Sequence, residues 1–500
     1  MLMRKIISLV LAAFCIIAGI VLARVAGFAS RQIQAPPGEK FNIDRNAIAS
    51  RLSEAIQFKT VSYQESSESG AAEFARFHVF LASSFPAVHA RLTKELVGAH
   101  SLLYTWKGRD EKLKPILLMG HIDVVPADSA TEKSWSYPSF SGRIADSYIW
   151  GRGAMDDKVS VLGILEAAEY LLKNGFQPQR TIYFAFGHDE EIGGENGAAK
   201  IAELLRSRRI ELDYVLDEGG NIVEGIIPDV IAPVALIGIA EKGYLSLELK
   251  IETPGGHASI PPAHTAIGTL SSAIDKLERS PFPSRLSQPV RQMFEFLGPE
   301  MPWPKRIALA NLWLFDPFIR NQMAKSALTN AAIRTTQAVT VVNAGIKENV
   351  LPSNARAIVN VRILPGDTIV QVIDRIRQVI GKAEIKIVPL AIQSEPSAAS
   401  ETESEAFKLL HRTIKQVAPG VLVAPSLLVA TTDSRHYAKL TRNIFRFLPI
   451  TLGPNDARRF HGIDERISLD DYERCVRFYA QLMQGDSTLS RLLRVSPGQG

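Results

Sequence analysis

Residues 184–191, FAFGHDEE, place one histidine and three acidic residues directly after an apolar run. The run ends at Gly187, and His188, Asp189, Glu190 and Glu191 follow it. Carboxylates this close together repel one another, so ionising them at the end of a buried strand is costly unless positive charge lies nearby. The segment therefore predicts a positively charged partner for these side chains.

Two further predicted strands end in the same kind of polar cluster. Residues 115–120 (PILLMG) lead to His121, and residues 214–216 lead to the acidic pair of DEGG. A helical apolar spacing over 159–172 lies between them, and this alternation predicts a mostly parallel sheet. Ligands bind at the carboxyl ends of the strands in such sheets. One cluster is usually a helix cap or an ion pair, but three clusters of histidine and carboxylate favour one shared site.

A fourth polar segment, WGRGAMDDK at 150–158, puts two adjacent aspartates at the start of the predicted helix. Asp156 and Asp157 suit N-capping and compensation of the helix dipole. The two roles are compatible, because one aspartate can cap the helix while the other faces a metal ion.

Composition limits the classes of protein and the kind of metal site. The 500 residues are 46% hydrophobic and 22% charged, which is typical of a globular chain of two to three domains. The net charge is +5 without a Lys/Arg run, so no nucleic-acid partner is expected. Two cysteines, Cys15 and Cys475, exclude a disulfide framework and a thiolate zinc site. A metal ion would therefore be bound by histidine and carboxylate.

Five motifs in order resemble those of the co-catalytic zinc peptidases and aminoacylases, a family that includes aminoacylase and glutamate carboxypeptidase. They are GHIDVVP, GRGAMDDK, DEEIGG, DEGG and GGHAS. Within the family, the resemblance is strongest to the carboxypeptidase S group and the secreted N-fatty-acyl-amino-acid synthase/hydrolases. It covers roughly residues 45–485 by motif order. Each motif is weak alone, but five in order are specific.

The resemblance implies an α/β fold, in which a mostly parallel-sheet catalytic domain carries an inserted α+β two-layer lid or dimerisation domain. It also implies a set of metal ligands: His121, Asp156 as the bridging ligand, Glu191, Glu218 and, in RFHGIDERI, His461. Asp217 is adjacent to Glu218 and remains an alternative. Asp123 resembles the carboxylate that orients His121, and Glu190 resembles the general base.

The expected cofactor is a pair of Zn²⁺ ions, with Co²⁺ or Mn²⁺ as alternatives. Histidine and carboxylate suit zinc, and two ions about 3.5–4 Å apart can hold a bridging hydroxide. The expected reaction is hydrolysis of the amide bond in N-acyl amino acids or short peptides with a free carboxylate. A carboxypeptidase or dipeptidase acting on peptides is the first alternative, and a non-catalytic binding descendant is the second.

The pattern changes over 245–395, the predicted lid. LSLELKIE, VTVVNAG and ARAIVNVRIL read as strands, and TIVQVIDRIRQVIG reads as a helix. The apolar face of this helix is predicted to contain Val370, Val372, Ile373, Ile376 and Ile380. Residues 282–330 are an apolar, aromatic addition, interpreted either as lid packing or as a wall for an acyl chain.

Three lid residues resemble substrate-binding groups of the family. His257 in GGHAS is a candidate for polarising the scissile carbonyl, although a lone loop histidine more often makes a local hydrogen bond. Arg362 resembles the arginine that grips a substrate carboxylate, with a surface ion pair as the alternative. Asn349 is predicted to line the same pocket, and His436 in TTDSRHY is a weaker candidate. The resemblance also implies a homodimer through the lid.

The N-terminus reads as a separate segment. Arg4 and Lys5 precede an uncharged apolar run of 18 residues over 6–23, which is long enough to span a bilayer. We expect a membrane anchor with the catalytic domain outside the cytoplasm, and secretion after signal cleavage as the alternative. The predicted divisions are an anchor at 1–24, a linker at 25–44, the catalytic domain at 45–244 and 396–485, the lid at 245–395 and a tail at 486–500.

Overall fold

The computed structural model describes residues 1–63, 70–381 and 384–495. Its helices are α1 Leu2–Ala26, α2 Arg45–Gln57, α3 Ala71–Ser84, α4 Pro86–Arg91, α5 Lys158–Lys173, α6 Ala198–Ser207, α7 Ala266–Arg279, α8 Gln288–Leu297, α9 Trp303–Ala310, α10 Leu312–Met323, α11 Ala327–Ile333, α12 Ile369–Ile380, α13 Glu405–Val417 and α14 Leu469–Val495. Helix α14 continues through the first ten residues of the predicted tail, and the other five lie outside the described residues.

The strands form one large sheet, one lid sheet and two small sheets. They are β1 Thr93–Val97, β2 Ser101–Trp106, β3 Ile116–His121, β4 Arg143–Ala145, β5 Tyr148–Trp150, β6 Ile182–Gly187, β7 Val215–Asp217, β8 Ile222–Val223, β9 Val234–Glu241, β10 Gly243–Glu252, β11 Gly256–His257, β12 Thr336–Ala344, β13 Val350–Leu351, β14 Asn354–Ile363, β15 Lys386–Ser394, β16 Leu422–Leu428, β17 Ile444–Arg446, β18 Thr451–Leu452 and β19 Arg466–Ser468.

The large sheet has the order β1-β2-β6-β3-β7-β17-β9-β8-β18, with β16 paired to β9. Strands β6, β3, β7 and β17 are parallel neighbours, whereas β1, β2 and β6 pair antiparallel. The sheet is therefore mixed, and the predicted parallel arrangement describes its centre. His121 is paired with Gly187 at the carboxyl ends of β3 and β6. The polar clusters that follow these strands thus meet at one edge.

Helices cover both faces of this sheet, which makes it an inner layer. Every residue of β3 and β6 is buried, as expected for strands that are covered on both sides. Helix α5 packs on β3 and is itself covered by α14, and its Leu162 and Leu165 are fully buried. On the other face, Ile201 and Leu205 of α6 pack against Leu117 and Tyr183.

The lid is a four-stranded antiparallel sheet in the order β12-β14-β10-β15, with α7 and α12 packed against it. This arrangement has the predicted two layers. Val370 was predicted to face the core but is 66% exposed, whereas Val372, Ile373, Ile376 and Ile380 are buried. Val370 lies in the first turn of α12, beyond the edge of the sheet-facing stripe. The lid sheet begins at Gly243 and ends at Ser394, close to the predicted bounds, and the division into domains stays a prediction.

The aromatic addition at 282–330 forms α8, α9, α10 and part of α11. Helix α8 packs on β16 of the large sheet, and α9 packs on α1. These contacts differ from the predicted lid packing, because α8 covers β16 at the side of the large sheet. Arg285 still joins the addition to the lid through an ion pair with Asp367 at 2.7 Å.

Candidate metal centre

His121 ends β3 and is buried at the centre of the polar edge. Its Nδ1 lies 3.0 Å from the backbone oxygen of Asp123. A carbonyl oxygen only accepts, so Nδ1 carries a proton, and Nε2 is the nitrogen that faces the centre. That Nε2 lies 2.9 Å from Oδ1 of Asp156 and 3.6 Å from Oε1 of Glu218.

Asp156 lies between two histidines. Its Oδ1 faces His121, and its Oδ2 lies 3.1 Å from Nε2 of His461. The same Nε2 of His461 lies 3.0 Å from Oε2 of Glu191. The segment before α5 and the distant loop at 461 therefore meet on one carboxylate, which is the arrangement a bridging ligand requires.

Asp123 connects His121 to the acidic turn. Its carboxylate is fully buried and accepts a hydrogen bond from Ser62 Oγ at 2.7 Å. It also accepts from the backbone N–H groups of Glu190 and Glu191, each at 3.2 Å. One buried carboxylate thus fixes the histidine at the end of β3 and the turn that follows β6.

The adjacent acidic pairs divide into different roles. Asp217 accepts hydrogen bonds from the backbone N–H groups of Glu218 and Ser434, at 3.0 and 2.9 Å. Glu218 therefore faces His121, while Asp217 supports the loop behind it. Asp157 occupies the N-cap position of α5 without a side-chain cap bond. Its Oδ2 instead accepts from the backbone N–H of His121 at 3.3 Å.

The carboxylates around the two histidines stabilise the protonated form of each imidazole. Burial lowers the pKa of His121, but hydrogen bonds, first of all with Asp123, outweigh burial and raise that pKa well above its ordinary value. Hydrogen bonds with Asp156 and Glu191 raise the pKa of His461 to about 10. Burial disfavours ionised Asp156, yet hydrogen bonds from both histidines hold its pKa below its ordinary value.

The glutamates of the centre have raised pKa values. Burial raises the pKa of Glu190 well above its ordinary value, against the lowering effect of His121. Burial also raises the pKa of Glu191 and, together with the negative charge of Asp156, raises that of Glu218 to about 7. The site thus holds more carboxylates than its own cations can keep ionised, and added positive charge would restore their ordinary ionisation.

The donor set fits divalent metal ions. Two groups of three side chains each bring one ligand atom within 4.8 Å of one another: His121, Asp156 and Glu191, and His121, Asp157 and Glu218. Oε1 of Glu191 and Oδ1 of Asp157 are buried without a hydrogen-bond partner. Buried carboxylate oxygens are costly when unpaired, and a bound cation would satisfy them. Nitrogen and oxygen donors of this kind suit zinc.

The predicted substrate residues lie in two places. Arg362 is half-buried on β14, 4.6 Å above the ring of Tyr244. Burial lowers the pKa of Arg362, and interactions with Tyr244 and Glu190 act in the opposite direction. His257 and Asn349 are exposed at the small two-stranded antiparallel sheet of β11 and β13, where His257 Nδ1 lies 2.7 Å from Ser259 Oγ. The backbone of Asn349 accepts from Ala258 at 3.1 Å.

The TTDSRHY segment borders the acidic turn. Nε2 of His436 lies 3.2 Å from the backbone oxygen of Gly193, and Arg435 donates to the same oxygen. Asp433 is buried beside Gly187 and Gly194 with both carboxyl oxygens unpaired, and burial raises its pKa well above its ordinary value. The positive φ of Gly194, 71°, fits this close approach.

Sequence reasoning missed Arg152 and Glu465. Both are buried and paired at 2.6 Å, and Glu465 also accepts from the backbone N–H of Asp156 at 3.2 Å. Arg152 lies in GRGAMDDK, and Glu465 lies four residues after His461 in RFHGIDERI. One motif contains a basic residue and the other an acidic one, and this was the signal in the sequence that the two motifs pair with each other.

Comparison with known proteins identifies the family. Residues 117–485 match the model of peptidase family M20/M25/M40. The chain is 46% identical over 441 residues to a probable carboxypeptidase S-like 2 of Dictyostelium discoideum, covering 87% of this chain and 84% of the relative. It is 40% identical over 457 residues to the N-fatty-acyl-amino acid synthase/hydrolase PM20D1 of Mus musculus, covering 90% of each.

Solved structures share the fold. The M20 family metallo-carboxypeptidase Sso-CP2 of Sulfolobus solfataricus aligns with a TM-score of 0.64 at 17% identity, over 88% of this chain and 99% of that chain. Human carnosine dipeptidase 1 aligns with a TM-score of 0.62 at 14% identity, over 89% of this chain and 96% of that chain. The family match and the sequence relatives together show that the chain belongs to peptidase family M20/M25/M40 and is a hydrolase of that family.

Proposed function

We propose that the chain is a two-zinc amidohydrolase that cleaves the amide bond of N-acyl amino acids carrying a free carboxylate. The observation that carries the proposal is the convergence of two histidines, His121 and His461, with three carboxylates, Asp156, Glu191 and Glu218, while Glu190 lies in the adjoining turn. His121, Asp156, Glu191, Glu218 and His461 would hold the metal ions. Co²⁺ or Mn²⁺ could take the same ligands.

Metal ions bound there would lower the pKa of water and polarise the scissile carbonyl. Glu190 takes the proton of the attacking water and passes it to the leaving nitrogen. This role requires Glu190 to stay off the metal ions, and its neighbour Glu191 is the residue that contacts His461. Asp123 keeps Glu190 and His121 in fixed relation through the hydrogen bonds described above.

Arg362 is proposed to bind the substrate carboxylate. Its guanidinium is partly desolvated, its pKa responds to the charge of Glu190, and the side chains that it contacts, Tyr244 and Asn360, are uncharged. A charged donor of this kind favours a planar carboxylate. The relative named N-fatty-acyl-amino acid synthase/hydrolase supports an acyl group on the amino acid.

Cleavage of peptides is the second candidate. The carboxypeptidase S-like relative from Dictyostelium discoideum is the observation that favours it. A panel of acetyl-, long-acyl- and peptidyl-amino acids, assayed on metal-loaded protein of measured zinc content, separates the two. Faster turnover of peptidyl substrates would replace the first proposal by the second. Loss of all activity with metal ions bound would contradict both.

The same proposal includes an uncleaved N-terminal anchor with the catalytic part outside the cytoplasm. Helix α1 is long and apolar enough to cross a membrane, with a mean hydropathy of 3.0 over 18 residues. Arg4 and Lys5 precede it and favour a cytoplasmic N-terminus. Retention in membranes after an alkaline carbonate wash tests the anchor. Release of a chain that lacks the first residues would indicate secretion instead.

A further inference from the structure

Helices α9 and α10 carry exposed apolar side chains in an unusual concentration. Trp303 is 63% exposed, Trp313 52%, Leu314 43% and Phe318 59%. We call these four residues the aromatic face. Single exposed apolar residues are common, but large aromatic ones on adjoining helices indicate a contact surface.

The aromatic face lies beside the end of the apolar N-terminal helix. Nδ2 of Asn311, between α9 and α10, donates to the backbone oxygen of Val21 at 3.3 Å. Arg306 of α9 donates to the backbone oxygen of Phe28 at 2.9 Å. Val25 of α1 is buried, with 2% exposure. These contacts fix α1 against α9, so they define the position of the aromatic face along the axis of α1.

That position corresponds to the end of a membrane span. Val21 belongs to the last turn of the apolar run at 6–23. At a rise of about 1.5 Å per residue, the N-terminal end of α10 is within roughly one helical turn of the point where the run ends. If α1 crosses a bilayer, this part of α10 lies at the boundary between acyl chains and headgroups.

We propose that the aromatic face docks on the membrane surface around the anchor and is immersed in its interfacial layer. The proposal rests on the anchor proposed above. Tryptophan is enriched at this depth because its ring is apolar while its N–H remains polar. Basic side chains accompany it: Arg24 closes the apolar run, and Arg306 lies 5.7 Å over the ring of Trp303. Basic residues next to exposed tryptophans suit contact with lipid headgroups.

The tryptophans of the chain allow a direct test. Of the five, Trp106, Trp135 and Trp150 are buried in the catalytic part, and only Trp303 and Trp313 are exposed. The full-length protein would be reconstituted into phosphatidylcholine and phosphatidylglycerol vesicles with or without brominated acyl chains. Brominated lipid should reduce the tryptophan emission of the wild type. The double variant Trp303→Phe/Trp313→Phe should lose that reduction and keep its remaining emission.

Equal reduction in the double variant and the wild type would overturn the proposal, and so would the absence of any reduction. A thermal unfolding midpoint close to that of the wild type shows that the double variant is folded. If it is not, Trp303→Phe and Trp313→Phe alone, each expected to lose part of the reduction, provide the same comparison.

Cys15 separates failure of the docking from failure of the anchor. Cys15 lies in the middle of the apolar run, and Cys475 is buried. A membrane-impermeant maleimide added to intact vesicles should leave Cys15 unlabelled and should label it after detergent is added. Labelling before detergent contradicts the anchor and with it the docking. Protection of Cys15 without tryptophan quenching contradicts the docking alone and points to another cover for the face, such as a second copy of the chain.

Discussion

Arg152 and Glu465 form a buried ion pair that joins the two loops carrying Asp156 and His461. Oε1 of Glu465 accepts from the backbone N–H groups of Gly153 and Met155, each at 2.9 Å. Arg152 donates to the backbone oxygen of His461 at 3.0 Å. Each side chain contacts the backbone of a proposed metal ligand, so together they determine how far apart those loops lie.

Glu465→Gln should therefore weaken metal binding without removing a ligand. The amide keeps the volume and one acceptor but loses the charge that pairs with Arg152. Loss of such a supporting group lowers metal affinity by about 10- to 100-fold. Competition with a chelator would measure the change, and Glu211→Gln, at an exposed site, is the matched control. Unchanged affinity in Glu465→Gln would show that the loops keep their positions without the pair.

Glu190→Gln and Glu191→Gln should separate base from ligand. Glu190→Gln removes basicity and keeps size, so turnover should fall by about 10²- to 10⁴-fold while metal content stays close to that of the wild type. Glu191→Gln should lose metal and activity together, because its Oε2 contacts His461. Metal analysis beside steady-state kinetics distinguishes them. The reverse pattern, with metal lost only from Glu190→Gln, would exchange the two assignments.

Arg362→Ala should impair substrates with a free carboxylate selectively. Loss of a hydrogen bond to a charged group costs roughly 1.5–3 kcal/mol, expressed in kcat/KM. The matching amidated substrate lacks the charge and should be affected little. Arg356→Ala on the same strand, with a half-exposed side chain paired to Glu248, is the matched control. Equal losses for both substrates would indicate that Arg362 has a structural role.

His257→Ala tests whether the lid acts between subunits. Within one chain, His257 is exposed and contacts Ser259, so a second copy could present it to the centre. Co-expression of His257→Ala with Glu190→Gln should then restore the activity of the whole population to about a quarter of the wild-type level, because about half of the dimers are mixed and one of the two sites in each is intact. The two variants purified separately should stay inactive. If co-expression does not restore activity, His257 acts in the site of its own subunit or takes no part in the reaction.

Asp486 should make stability depend on pH. Burial raises the pKa of this carboxyl, near Arg180, from 3.8 to about 7. The folded chain therefore binds a proton that the unfolded chain releases. The contribution to stability is complete below about pH 4 and is lost as pH rises through about 7. In the wild type, the unfolding midpoint should fall as pH rises from roughly 5 to 8, and Asp486→Asn should make this fall smaller. Asp470→Asn, at an exposed site, should leave it unchanged.

Features encoded in short segments could be predicted from the sequence. His121 and the Glu190–Glu191 turn follow from apolar runs that end in polar residues, because parallel strands bring their ends to one edge. Asp156 follows from the acidic pair at the start of the predicted helix. The long-range relationships could not. The Arg152–Glu465 pair joins positions that local periodicity cannot connect, and the packing of α8 on β16 joins elements that lie far apart in the chain. The exposure of Val370 depends on where the sheet edge lies.

Asp123 gives the centre a thermodynamic property that its individual contacts do not. Its carboxylate holds the turn of Glu190 and Glu191, and its backbone and side chain hold His121. The positions of the proposed ligands and of the proposed base are consequently coupled rather than separate. If metal binding favours the ordered turn by a certain free energy, an ordered turn favours metal binding by the same free energy. A substitution that loosens the turn is therefore also a substitution that weakens the metal site.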